Sequence, residues 1–135
     1  MEKINRIVLI DDDEPTNIFH EIIVQESGLV EEYDIYSSAI AALQELTKCE
    51  KKIDLIFLDI NMPKMNGWDF LDQYRKLDLE CQSKCVIMLS TSLSTFDQKR
   101  AEDNPLVTHF IQKPLSEEKL RSVIQVINED FTPVT

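Results

Sequence analysis

The sequence predicts an α/β domain: a parallel sheet with helices on both faces. Two observations carry this. Short apolar runs of four or five residues recur along the chain, at Ile7–Ile10, Leu55–Leu58 and Val86–Leu89, and each ends on a polar or acidic residue. Runs of that kind, bounded by breakers, suit strands buried on both faces. Between them lie segments with apolar residues at helical spacing, and strands alternating with helices indicate parallel βαβ units. A length of 135 residues suits one continuous core.

Taken in order, Arg6–Ile10 predicts the first strand, closed by Asp11-Asp12-Asp13. Pro15 fits the first turn of a helix. Ile18, Phe19, Ile22 and Ile23 then recur at helical spacing until Gly28 ends the segment. Tyr33–Tyr36 alternates and reads as a short second strand. Ser37 or Ser38 caps a helix whose apolar side is Ala39, Ala42, Leu43 and Leu46. The third strand, Leu55–Leu58, runs straight into Asp59, and Pro63 and Gly67 mark the loop beyond it.

A third helix begins near Gly67, with Trp68, Leu71 and Tyr74 on one face and Phe70 and Leu77 close by. The fourth strand, Cys85–Leu89, exits at Ser90-Thr91-Ser92. Ser94, with Asp97 three residues later, resembles a capping pair for a helix over Thr95–Glu102 that has no clean apolar stripe. Asn104-Pro105 breaks the chain before a fifth strand, Thr108–Ile111, which leaves through Gln112-Lys113-Pro114. Ser116 caps the last helix, Glu117 and Glu118 suit its first turn, and Leu120, Val123, Ile124 and Ile127 form its inward face. No linker or repeat divides the chain, so 1–135 is expected to be one domain, with a core of about 4–129 and a frayed tail over 130–135.

Acidic residues number 25 against 14 Lys and Arg, for a net charge of −11. That field repels phosphate backbones and anionic lipid, so nucleic acid and membrane partners are not expected. It favours hard divalent cations and basic protein partners. No apolar stretch has the length of a membrane span and no signal peptide is visible, so a cytoplasmic protein is expected. Cys49, Cys81 and Cys85 lack zinc-type spacing and are expected to be reduced thiols.

In a parallel sheet all strands point the same way, so the residues that end them share one edge, the edge at which open α/β sheets bind ligands. Asp11 and Asp12, Asp59, Ser90 and Lys113 are those residues. Each alone has an ordinary reading as a cap, a turn former or a strand exit. Together they are a chemical set. Three clustered carboxylates call for a cation, and Mg²⁺ with oxygen ligands answers that need. With an ammonium and a hydroxyl beside them, they are the parts that phosphoryl transfer requires, Asp59 acting as the nucleophile.

These motifs resemble the receiver domain of two-component response regulators over nearly the whole chain. The resemblance is carried by Leu9-Ile-Asp-Asp12, Leu58-Asp-Ile-Asn-Met-Pro-Lys-Met-Asn-Gly67, Leu89-Ser90 and Lys113-Pro114. It implies a flavodoxin-like (βα)5 doubly wound sheet in strand order 2-1-3-4-5. It further implies that Asp59 accepts a phosphoryl group from a sensor histidine kinase or histidine phosphotransfer protein. Asp11 and Asp12, with Asp59 and the backbone carbonyl of Asn61, would hold Mg²⁺.

By the same resemblance Ser90 is the switch hydroxyl, Lys113 the partner lysine and Pro114 an adjoining cis-type proline. Phe110 stands where the switch aromatic is often tyrosine. Asn61 and Ser92 border the site. A stand-alone signalling protein is expected, not a classical enzyme, with a docking surface on the fourth helix, fifth strand and fifth helix. Two other readings are an aspartate-nucleophile phosphohydrolase and a degenerate receiver that binds partners without phosphorylation. Asp59-Ile-Asn-Met-Pro lacks the second acid usual in the first, and the intact set Asp11, Asp12, Asp59, Ser90 and Lys113 argues against the second.

Overall fold

A computed structural model describes residues 3–91 and 94–130. The order is β1 (Ile4–Ile10), α1 (Glu14–Ser27), β2 (Val30–Tyr36), α2 (Ala39–Leu46), β3 (Leu55–Asp59) and α3 (Gly67–Tyr74). A 3-10 turn over Leu79–Cys81 follows, then β4 (Val86–Ser90), α4 (Thr95–Asp103), β5 (His109–Gln112) and α5 (Glu117–Asp130). The five strands are parallel and lie in the order β2-β1-β3-β4-β5. That is the expected fold class.

Period-two alternation divides the core between the two faces of the sheet. Val8, Ile10, Ile56, Leu58, Val86 and Met88 pack with α2 and α3 through Ala42, Leu46, Phe70, Leu71 and Tyr74. Ile7, Leu9, Leu55, Phe57, Ile87 and Leu89 pack on the other side with Val24 of α1 and Leu120, Val123, Ile124 and Ile127 of α5. β3 and β4 are buried along their whole length, as strands covered on both faces must be. Truncating Phe57 to Ala in such a setting costs about 3–5 kcal/mol.

Local chemistry sets the helix ends. Asp13 caps α1, accepting from the Thr16 N–H, and Gly28 closes it with φ of 67°. Ser38, the second of the two candidates, caps α2. Asn66 and Asp69 form a reciprocal capping box at α3. Ser94 caps α4, accepting from the Asp97 N–H at 3.3 Å. Only Ala101 of α4 is buried, in keeping with its lack of an apolar stripe.

The helix expected before Gly28 is present, but the residues at helical spacing that mark it are not its inward face: Ile18, Phe19 and Ile22 are exposed, while Asn17, His20 and Val24 are buried. The helix turns polar residues inward because both find fixed backbone partners there. The cysteines are not all reduced: Cys49 and Cys81 form a disulfide, and the buried Cys85 lies outside it. Folding brings the loop after α2 to the 3-10 turn before β4, with the two Cα atoms 5.2 Å apart, a separation that permits a crosslink. Smaller shifts occur at β2, which starts at Val30, and at β5, which covers His109–Gln112. The expected frayed tail lies, beyond Asp130, outside the described residues, as does Ser92.

Candidate functional site

The site is built at the carboxyl edge of β1, β3, β4 and β5. Asp11 follows β1 directly and is held from three sides. Its N–H donates to the Tyr36 carbonyl at 3.1 Å, and its carbonyl accepts from Asn17 Nδ2 at 2.7 Å. Its Oδ1 accepts from the Asp13 N–H at 2.9 Å. The other carboxylate oxygen, Oδ2, lies 2.5 Å from Lys113 Nζ. Asp11 is thus a buried, oriented carboxylate, whereas Asp12 next to it is exposed.

Asp59 ends β3, buried, and its Oδ1 lies 2.9 Å from Lys113 Nζ. The turn beyond it is tightly wound: the Gly67 N–H donates to the Ile60 carbonyl at 2.8 Å. A Cβ on Gly67 would come within 2.6 Å of the Asp59 carbonyl oxygen and 3.1 Å of Ile60 Cα. Glycine is therefore required by close approach of backbone to backbone, which neither side can relieve by rotating a side chain.

Ser90 ends β4 and is buried. Its carbonyl accepts from the Lys113 N–H at 2.7 Å, which fixes the height at which the lysine leaves β5. The Lys113–Pro114 peptide is cis. The Lys113 side chain reaches back over the sheet edge, nearly buried, and bridges the Asp11 and Asp59 carboxylates. Asn61 lies two residues past Asp59 and is exposed, and Phe110, half-buried, packs beside the α2–α3 side of the core.

Electrostatics follow from this geometry. Burial raises the Asp59 carboxyl to about 6; Lys113 opposes that rise, and the charges on Asp11 and Asp12 add to it. Burial pulls Lys113 down, yet its hydrogen bonds to Asp11 and Asp59 outweigh that and leave it raised. At neutral pH the site therefore holds an ionised nucleophile-type carboxylate against a fixed ammonium.

Asp11, Asp12 and Asp59 bring ligand oxygens within 4.8 Å of one another, so the donor set fits a hard divalent cation. Three carboxylates face one ammonium, a surplus of negative charge that such an ion would balance. Asp11, Asp12, Asp59, Ser90 and Lys113 thus converge on one edge, while Phe110 lies deeper along β5. Asn17 and His20 were missed by sequence reasoning. The only signal available was the polarity of Asn17 and His20 on either side of the apolar pair Ile18-Phe19, in a segment that also carries Glu14, Thr16 and Glu21.

A family model described as the response regulator receiver domain matches residues 7–125. A crystal structure of a two-component response regulator from Cytophaga hutchinsonii is 31% identical, with a TM-score of 0.87 over 95% of this chain and 99% of that one. A protein-glutamate methylesterase/protein-glutamine glutaminase from Burkholderia thailandensis is 38% identical over 86 residues, 64% of this chain and 22% of that protein. An uncharacterized response regulatory protein of Vibrio cholerae is 29% identical over 133 residues, 95% of this chain and 52% of that protein. The chain therefore spans from about a fifth to about half of the length of these two relatives. Among the described residues, no helix is long and apolar enough to cross a membrane.

Proposed function

The chain belongs to the response regulator receiver family, and from that premise we propose that it is a phosphorylation-controlled signalling module whose acceptor is Asp59. The family is one of two-component signalling, and the finer reading concerns what this chain's residues do. Asp59 attacks the phosphorus of a phosphohistidine on a sensor kinase or phosphotransfer protein; the P–N bond breaks, the imidazole leaves, and an acyl phosphate forms. A Mg²⁺ held by Asp11, Asp12, Asp59 and the Asn61 carbonyl would supply charge neutralisation at a phosphoryl oxygen. Lys113 neutralises a second oxygen and the Ser90 hydroxyl donates to a third. Pro114 sets the direction in which the chain leaves the lysine.

The observation that carries this reading is the placement of Lys113 Nζ 2.9 Å from Asp59, beside three carboxylates clustered within 4.8 Å. A turn former or helix cap would need neither the buried ammonium nor the second and third acids. We infer further that the chain works as a single receiver unit in the cytoplasm and catalyses only its own phosphorylation and dephosphorylation. Its output would be a docking surface of α4, β5 and α5, altered through Ser90 and Phe110. The net charge of −11 supports a protein partner over nucleic acid or membrane.

Incubation with acetyl phosphate and Mg²⁺, followed by mass mapping, tests the assignment. One phosphoryl group should appear on Asp59, and Asp59→Asn should abolish it with the fold retained. Labelling of the variant at the parent's rate would show that the acceptor lies elsewhere.

A further inference from the structure

His20 is an unusual residue for its position. It lies on the inward face of α1, 1% exposed, in a segment that offers four apolar residues nearby which the helix leaves facing wholly or partly outward. Burying an imidazole there carries a desolvation cost that an aliphatic side chain would not have. The contact that offsets this cost is specific. His20 Nε2 accepts from the Leu115 N–H at 3.1 Å, across 95 residues of sequence.

Leu115 has the first N–H after Lys113, because Pro114 has none. Its side chain is wholly buried, so an N–H left without an acceptor there would carry the full desolvation penalty of an unpaired donor. The Lys113–Leu115 segment is thus pinned at both ends, by Lys113 N–H on the Ser90 carbonyl and by Leu115 N–H on His20. One turn earlier on the same helix, Asn17 Nδ2 holds the Asp11 carbonyl at 2.7 Å. The inward edge of α1 therefore braces both partners of the Asp11–Lys113 ion pair, one through each residue.

We infer that His20 is a positioning residue for Lys113, holding the β5–α5 connection against α1 so that the ammonium stands where the phosphoryl group forms. The inference rests on the reading of Asp59 as acceptor and adds to it a residue of α1 that touches no reacting atom. Acceptance at Nε2 requires the neutral ring with its proton on Nδ1. Burial holds His20 below its ordinary pKa, Lys113 adds to that, and Asp11 opposes it, so the neutral form prevails at pH 7.

A histidine that merely fills the core would affect stability alone. The test therefore compares the full-length parent with His20→Leu, His20→Gln, Lys113→Ala and the His20→Leu/Lys113→Ala double variant. Two quantities are read: the rate of acetyl phosphate labelling at Asp59, and the rate at which Lys113 is acylated by acetic anhydride, which needs no phosphoryl chemistry. His20→Leu should slow labelling roughly tenfold. His20→Gln, which restores an acceptor oxygen, should stay close to the parent.

The double variant should label no more slowly than Lys113→Ala, since His20 acts through the lysine. Lys113 should be acylated faster in His20→Leu than in the parent and at the parent's rate in His20→Gln. If His20→Leu does not fold, His20→Met is read in its place. Parent-like labelling and acylation in the apolar variant would overturn the inference, and so would losses that add in the double variant. If the parent takes no label at Asp59, the proposed function falls and the acylation rates alone decide the role of His20.

Discussion

Lys113 Nζ stands 2.9 Å from Asp59 Oδ1, so the ammonium from β5 and the carboxylate from β3 form one buried pair across the intervening β4. Yet Asp59 is raised to about 6, because burial and the neighbouring acids outweigh the lysine. Ionised Asp59 is therefore a liability to the metal-free fold, and that has a measurable sign.

Between the ordinary carboxylate range near 4 and the folded value near 6, the folded state binds more protons at Asp59 than the unfolded state does. Its contribution to stability thus falls as pH rises through this window and is constant above it. Without divalent cations, Asp59→Asn should be more stable than the parent at pH 7.5, by about 2 kcal/mol. The gain should shrink towards zero at pH 4.5. Denaturant melts at the two pH values check it; a gain that grows towards acid would mean that Lys113, not burial, dominates.

The same excess of negative charge predicts a response to metal. A cation that binds only the folded state raises stability by mass action, about 2.7 kcal/mol at one hundred times Kd. Mg²⁺ should raise the melting temperature of the parent. Asp12→Ala should remove most of that rise with little change in the metal-free melt, since Asp12 is exposed. A flat melting curve across a wide Mg²⁺ range would count heavily against the site.

Gly67 offers a test of the loop that carries the acceptor. A methyl group there meets the Asp59 carbonyl oxygen at 2.6 Å, and only backbone movement can relieve it. Gly67→Ala should destabilise by about 1–3 kcal/mol, as overpacking does, and slow labelling at Asp59. Gly28→Ala, strained by a φ of 67° but with open space around it, should destabilise without touching the labelling rate. Equal labelling by both variants would detach the Gly67 contact from the chemistry.

Much of this was legible in the sequence, for reasons that differ by element. β3 could be read because a strand buried on both faces has no polar position to confuse the pattern, and it stops on the residue that matters. α5 could be read because Leu120, Val123, Ile124 and Ile127 face one cluster only. α1 was legible as a helix but its inward face was not, because Ile18, Phe19 and Ile22 share its periodicity while Asn17 and His20 turn inward. Asn17 turns to the Asp11 carbonyl at the end of the preceding strand, and His20 to a backbone N–H 95 residues away. The Cys49–Cys81 pair was invisible for a related reason. Its two halves are 32 residues apart in sequence, and only the packing of two connections at the far edge of the sheet makes them neighbours.

That crosslink has its own consequence. Closing a loop of this length stabilises by about 3–4 kcal/mol in the chain-entropy account. Reductant should lower the melting temperature of the parent, and Cys49→Ser/Cys81→Ser should melt at the lower value with or without it. Alkylation of the denatured, unreduced protein should mark Cys85 alone. Modification of all three cysteines would restore the expectation of reduced thiols.

The final prediction concerns how a phosphoryl group at Asp59 is felt at a distance. Ser90 pairs with Gln112, and Met88 with Phe110, so the hydroxyl and the ring lie on adjacent strands two register positions apart. Phe110 is half-buried and lines a groove with Gln98, Ala101, Glu102 and Val107, between α4 and β5. On the core side α4 has little to hold it: Ala101 is its one buried residue, and Arg100 lies over the Trp68 ring at 4.8 Å. A helix with so few buried contacts is drawn from the low-stability end of the fold. A phosphoryl oxygen that engages the Ser90 hydroxyl would free space towards which Phe110 turns, and α4 would follow. The shift can be no larger than the differential affinity of the phosphoryl group for the two arrangements. Amide shifts with and without a phosphoryl mimic should therefore change beyond the Asp59 loop, over residues 94–102 and 108–111. Ser90→Ala should keep labelling at Asp59 and shrink those distant changes, and Phe110→Leu should blunt them at β5. Shifts confined to the loops around Asp11, Asp59 and Lys113 would make Phe110 a fixed core aromatic and leave the phosphorylation chemistry standing without this route.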